Sequence, residues 1–171
     1  NKWIFDFKRV LLRVEVLDLV ADIFWGIFFS KGRFQIGCLE TTGITLVTTF
    51  IIKRFQFDGV KTNGFFIRKS RKREGFMRMF EGCELTNDNV ILVDDSMNTG
   101  KSFMRQIEAL ESQNKKVIAV FVITRFREAS FYTYLKDKQI QIISLFELDD
   151  FKETLGVSNL KDENSKILLP F

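Results

Sequence analysis

At 171 residues, 46% hydrophobic and 28% charged, the chain is long enough to bury one compact α/β core and has no need of a second domain. Its net charge of +4 and pI near 9.1 are mildly basic, and the positive side chains gather between Arg68 and Arg78 and around Lys115, which points to an anionic ligand. A nucleic-acid surface is disfavoured because such surfaces interleave exposed aromatics with a longer basic stripe, and the lack of any histidine removes the usual parts of zinc sites and of Ser-His or Cys-His nucleophiles.

Asn1 rather than Met opens the chain, with no signal-peptide pattern, so a segment upstream of it is expected. Residues 3–7 read as a short strand and residues 10–29 as a helix with few exposed positions. That helix is apolar enough to imitate a membrane span, but Glu15, Asp18 and Asp22 at i, i+3 and i+7 make one polar edge, and no membrane is expected. Residues 34–39 form a buried strand, followed by Glu40-Thr41-Thr42-Gly43 and a helix through Lys53. Residues 63–67 give another strand, and residues 68–82 a basic loop whose plain reading is a solvated charge run. Cys38 and Cys83 are far apart and belong to no CxxC pair, so both are expected as free thiols in a reducing cytoplasm. After the central motif described next, residues 116–124 form a strand with Arg125 at its carboxyl end, residues 132–138 a helix and residues 139–145 a last strand. A polar tail with a short helix to Leu155 follows.

The centre of the chain reads VILVDDSMNTGKS over residues 90–102. Four β-branched or aliphatic residues suit a strand buried on both faces of a parallel sheet. Asp94 and Asp95 stand at its carboxyl end, where open α/β sheets bind ligands. Phe103, Ile107 and Leu110 fall at i, i+4 and i+7, so an amphipathic helix starts near Gly100 with its N-terminus facing the loop. Loop N–H groups, the hydroxyls of Thr99 and Ser102 and the helix dipole suit a phosphate dianion. The carboxylates repel that phosphate and instead suit sugar hydroxyls or a ligand-bound Mg²⁺. Phosphate at one end and a diol at the other describe a ribose 5-phosphate. A P-loop is disfavoured because Asp95 stands where that motif needs glycine; an ordinary βα turn with a solvated acidic pair is the remaining alternative.

This motif resembles the phosphoribosyl pyrophosphate (PRPP) signature of type I phosphoribosyltransferases, with Asn98 where a small or hydroxyl residue is more usual. The resemblance implies ribose contacts for Asp94 and Asp95, and 5-phosphate contacts for Met97, Asn98, Thr99, Gly100, Lys101 and Ser102. It makes residues 40–43 the pyrophosphate loop, with Thr41 and Thr42 as contacts. FFIRKSRKREGFMRMFEG is similar to the catalytic loop of orotate phosphoribosyltransferases, with Arg68, Lys69, Lys72, Gly75, Glu81 and Gly82 in matching places. Lys72 is then the main catalytic cation, Arg68 and Lys69 hold pyrophosphate, and Arg125 contacts the base. Departures are Thr42 and Met77 in place of glycines, Glu74 in place of a histidine, and Thr124 in place of an aspartate before Arg125.

The expectation is therefore one α/β domain over residues 1–171: a parallel sheet of about five strands flanked by helices, with an incomplete N-terminal hood. By resemblance, the chain moves ribose 5-phosphate from PRPP to a base, with Mg²⁺ carried on PRPP rather than by a protein metal site, as a homodimer. The alternative is a catalytically weak module of the same fold that binds PRPP or a nucleotide and reports it to a partner.

Overall fold

The computed structural model describes residues 3–4, 7–68, 79–151, 153 and 167–168. In chain order these form β1 (Trp3–Ile4), α1 (Lys8–Leu11), α2 (Val14–Phe28), β2 (Phe34–Leu39), α3 (Thr42–Asp58), β3 (Gly64–Ile67), β4 (Phe80–Gly82), β5 (Asn89–Met97), α4 (Lys101–Glu111), β6 (Val117–Arg125), α5 (Thr133–Asp137), β7 (Gln141–Glu147) and β8 (Ile167–Leu168). A six-stranded sheet has the order β4-β3-β2-β5-β6-β7, all parallel except β4, which runs antiparallel to β3. β1 and β8 pair separately as a two-stranded parallel sheet.

The central strands owe their burial to alternation on an apolar sequence. On β5, Val90 and Leu92 face one layer and Ile91 and Val93 the other. The first layer is closed by Phe103, Ile107 and Leu110 of α4 and Leu135 of α5. The second is closed by α2 and α3, where the phenylalanine excess is concentrated: Phe24 stacks on Phe50 with ring centroids 4.1 Å apart and meets Phe121 edge-on at 5.3 Å. Trp25 joins them and donates its indole N–H to the Phe50 carbonyl at 2.9 Å, so no polar atom of that ring is buried unpaired. The result is three layers, helices on both faces of one parallel sheet.

Several boundaries depart from the sequence expectation. The helix over residues 10–29 is broken: Arg13 takes an extended backbone and caps α2 by accepting the N–H groups of Val16 and Leu17 through its carbonyl. The break buries Leu11 while leaving Leu12 74% and Val14 77% exposed. No Gly or Pro marks it. The helix is also not shielded overall: Leu19, Asp22 and Ile23 are exposed, and the acidic edge at Glu15, Asp18 and Asp22 lies in solvent as its spacing required. α3 runs to Asp58, five residues beyond Lys53, its last turn tied by the Arg54–Asp58 pair at 2.9 Å. β5 continues through the two aspartates to Met97 because Asp94, Ser96 and Met97 still pair with Val122, Thr124 and Arg125. β7 sits two residues later than expected, since Gln139 turns with φ 56° and Ile140 donates back to the Leu135 carbonyl to close α5. β4, inside the expected loop, makes a sixth strand; three residues next to a basic run carry too short a pattern to reveal it.

Replacing Phe24, which is fully buried among five other rings, by alanine should lower stability by about 3–5 kcal/mol, seen as a fall in the denaturant midpoint without change of slope. A loss below about 1 kcal/mol would show that the rings do not form a close-packed layer.

Candidate functional site

Pairing of β2 with β5, with Cys38 opposite Val93, sets the turn after β2 beside the acidic pair, one strand spacing away. The β2–α3 turn and the β5–α4 loop then enclose a cavity of about 300 Å³, lined by residues 39–42 and 94–103. Thr41, Thr42, Asp94, Asp95, Met97, Asn98, Thr99, Gly100, Lys101 and Ser102, separated by up to 61 positions in the chain, thus share one wall system.

Two glycines permit the approach. At Gly43 a Cβ would stand 2.5 Å from Cys38 Cβ and 3.0 Å from the Val93 carbonyl, so only glycine lets the first turn of α3 sit on β2 and β5. Gly100 precedes α4 with φ 73° and packs against the Tyr132 ring. The first helical backbone bond of α4 is Met104 N–H to the Gly100 carbonyl, so the N–H groups before it have no partner within the helix. They face the loop with the positive end of the helix dipole.

Asp94 Oδ1 accepts the Asp95 backbone N–H at 2.9 Å, and Ser96 Oγ donates to Asp95 Oδ1 at 3.2 Å. The loop beyond them is held from beneath by Tyr132, whose buried hydroxyl lies 3.1 Å from the Met97 carbonyl and 2.9 Å from that of Asn98. Burial first of all pushes the Tyr132 phenol up to about 12, so the ring stays a neutral donor. Nothing in the sequence singled out Tyr132, which read as the first residue of a helix. Directly behind the acidic pair, burial and then the Asp94 charge push the Cys38 thiol up to about 12.

Arg68 and Arg125 stand at the same edge but outside the cavity wall. Arg68 follows β3, whose Ile67 carbonyl accepts the Glu40 N–H at 3.0 Å, and its guanidinium is bonded to Glu81 at 2.6 Å, which raises its pKa further. Arg125 ends β6 opposite Met97 on one side and Glu147 on the other, and is ion-paired with Glu147. Lys69 and Lys72, together with Glu74, Gly75 and Met77, lie outside the described residues. Among the described residues no group of three or more Cys, Asp or Glu is placed to cage a metal, and no helix is long and apolar enough to cross a membrane.

Two outcomes follow from this geometry. Tyr132→Phe should lower stability by about 1 kcal/mol, because the hydroxyl's tie to the Met97 and Asn98 carbonyls is lost; an unchanged unfolding midpoint would mean the hydroxyl does not hold the loop. With a thiol reagent at pH 8, Cys83 should react promptly in the native protein and Cys38 only after unfolding. Because the folded Cys38 pKa lies above its unfolded value near 9, the stability it contributes is full below that pH and is lost as pH rises toward 12.

No family model matches the chain. Among curated proteins, an orotate phosphoribosyltransferase of Methanosphaera stadtmanae is 28% identical over 147 residues, 85% of this chain and 78% of that protein. One of Corynebacterium glutamicum is 34% identical over 118 residues, 69% of this chain; the chain spans only 62% of that relative's length. Among solved structures, Mycobacterium tuberculosis orotate phosphoribosyltransferase in complex with PRPP superimposes with a TM-score of 0.69 at 20% identity, covering 85% of this chain and 81% of that one. In sequence the chain is similar to orotate phosphoribosyltransferases, and it shares their fold.

Proposed function

We propose that the chain transfers the 5-phosphoribosyl group of PRPP to a nitrogenous base and releases pyrophosphate. The observation that carries this reading is the shared cavity: an acidic pair on one strand, a hydroxyl-lined helix N-terminus after it and a second anion-suited turn beside it. The 5-phosphate takes the loop from Met97 to Ser102, and the ribose hydroxyls donate to Asp94 and Asp95. The hydroxyls of Thr41 and Thr42 face the pyrophosphate, with Arg68 one strand further out. Lys72 and Lys69 complete the cationic set over the leaving group, where charge grows as the C1–O bond breaks and is stabilised more in the transition state than in the ground state. Arg125 serves the base.

Two adjacent carboxylates are hard oxygen donors that suit Mg²⁺, and too few to hold it alone. Mg²⁺ carried by PRPP would offset pyrophosphate charge, with Asp94 and Asp95 able to contribute oxygen donors to it. The neighbouring M. tuberculosis enzyme crystallised with PRPP supports the donor substrate. We also propose a homodimer: Phe29 just after α2 and Phe55 and Phe57 on α3 are exposed, and the Phe29 and Phe57 rings touch at 5.8 Å. Sedimentation should give twice the chain mass of 20.1 kDa. Free Cys38 and Cys83 fit a reducing cytoplasm.

A second reading, a PRPP-binding regulatory module with little turnover, draws on Thr42, Glu74 and Met77, which replace residues usual in the family's two phosphate-facing loops. Pyrophosphate release from PRPP and Mg²⁺, screened with orotate, uracil, guanine, hypoxanthine and adenine, separates the two. Release with at least one base is expected; a PRPP-induced rise in melting temperature without release from any base would leave the module. Asp94→Asn with Asp95→Asn should abolish that rise. Lys72→Ala should keep it while slowing turnover by about 100-fold or more. An unchanged PRPP affinity in the double variant would remove the acidic pair from the site.

A further inference from the structure

We infer that Glu147 determines which base the site accepts, by holding the charge of Arg125 so that a base carrying its own carboxylate is disfavoured and a neutral base is preferred. This rests on the phosphoribosyl-transfer reading and adds the substrate class.

The strand order assigns the base its side. With ribose over Asp94 and Asp95 of β5, pyrophosphate lies over the turn that follows β2. In a displacement at C1 the incoming nitrogen takes the face opposite the leaving group. The opposite neighbour of β5 is β6, whose last residue Arg125 pairs with Met97, and beyond it is β7. The base is therefore met by the tips of β6 and β7.

The cation there is engaged from one side only. Arg125 is 11% exposed at its side chain, its Nε is buried without a hydrogen-bond partner, and its guanidinium is ion-paired with Glu147. Beside it the Thr124 hydroxyl is also buried without a partner. Glu147 itself is 51% exposed at its side chain, so the pair is open to solvent at the strand tips through its carboxylate. Its position is not accidental to a mobile tip: the parallel register sets it opposite Arg125, and its backbone N–H is held by Asp150 Oδ2 at 2.7 Å in the turn Leu148–Phe151. A carboxylate on an incoming base would meet Glu147 before it met an unneutralised guanidinium. Like charges brought together at a partly desolvated site oppose binding strongly. A neutral pyrimidine or purine brings no such charge to the pair.

The test uses the full chain and compares uridine 5′-monophosphate with orotidine 5′-monophosphate, which differ by the base carboxylate alone, by calorimetry on the wild type and on Glu147→Gln. The wild type should bind the uncarboxylated nucleotide about tenfold or more tightly. Glu147→Gln should shrink that ratio about tenfold or invert it, with PRPP affinity unchanged as the check on folding and on the phosphate loop. The same shift should appear in the ratio of kcat/KM for orotate and uracil. A preference for the carboxylated nucleotide in the wild type, or a ratio that Glu147→Gln leaves unmoved, overturns the inference alone. PRPP binding without either nucleotide also overturns it while the donor site stands. If PRPP and both nucleotides fail to bind, the phosphoribosyl reading falls and this inference with it.

Discussion

The two hydrogen-bond ladders that hold β5 between β2 and β6 are the constraint on which the rest depends. Through Val90–Val93 they are fully buried, and they fix the tips of β2 and β6 each one strand spacing from that of β5. The acidic pair is carried on the middle strand and stays in register with Val122 through Asp94, so its carboxylates cannot retreat into a flexible turn. What binds at this edge binds to groups whose positions were settled by core packing, and that is how a site becomes preorganised without rigid loops.

Electrostatics then divide the edge. Negative charge sits over β5; the N-terminus of α4 and the turn beside β2 are suited to anions; Arg125 and Glu147 compensate one another over β6 and β7. The proposal of a ligand with phosphate, diol and pyrophosphate in sequence rests on this division. Tyr132 supports the arrangement from below. Its neutral hydroxyl ties the loop to the core through the Met97 and Asn98 carbonyls. Gly43 has a comparable role on the other side, since any side chain there would lift α3 away from Cys38 and widen the gap to the acidic pair.

Much of this was legible in the amino-acid sequence, for physical reasons that differ by element. β2 appeared with its observed limits because residues 34–39 are apolar but for Gln35 and bounded by Arg33 and Glu40. The central motif was legible because strand, acids, small residues and amphipathic helix follow each other in the order the chemistry requires. What escaped was set by contacts distant in the chain. The break at Arg13 has no Gly or Pro to announce it and is settled by where Leu11 finds the core. β4 has only three residues and exists because β3 offers an edge. Tyr132 looked like any helical aromatic, and Glu147 like any polar residue after a strand; the partner of each is more than twenty positions away. Arg125 was legible as a cation at the ligand edge, but its neutralisation was not.

The most direct measurement of the central claim is a crystal structure grown with PRPP and Mg²⁺. The account requires the 5-phosphate on the backbone N–H groups between Met97 and Ser102, the ribose hydroxyls within hydrogen-bond distance of Asp94 and Asp95, and the pyrophosphate beside Thr41 and Thr42. PRPP bound elsewhere on the molecule, or oriented with its pyrophosphate on the β5–α4 loop and its 5-phosphate beside Thr41, would contradict it.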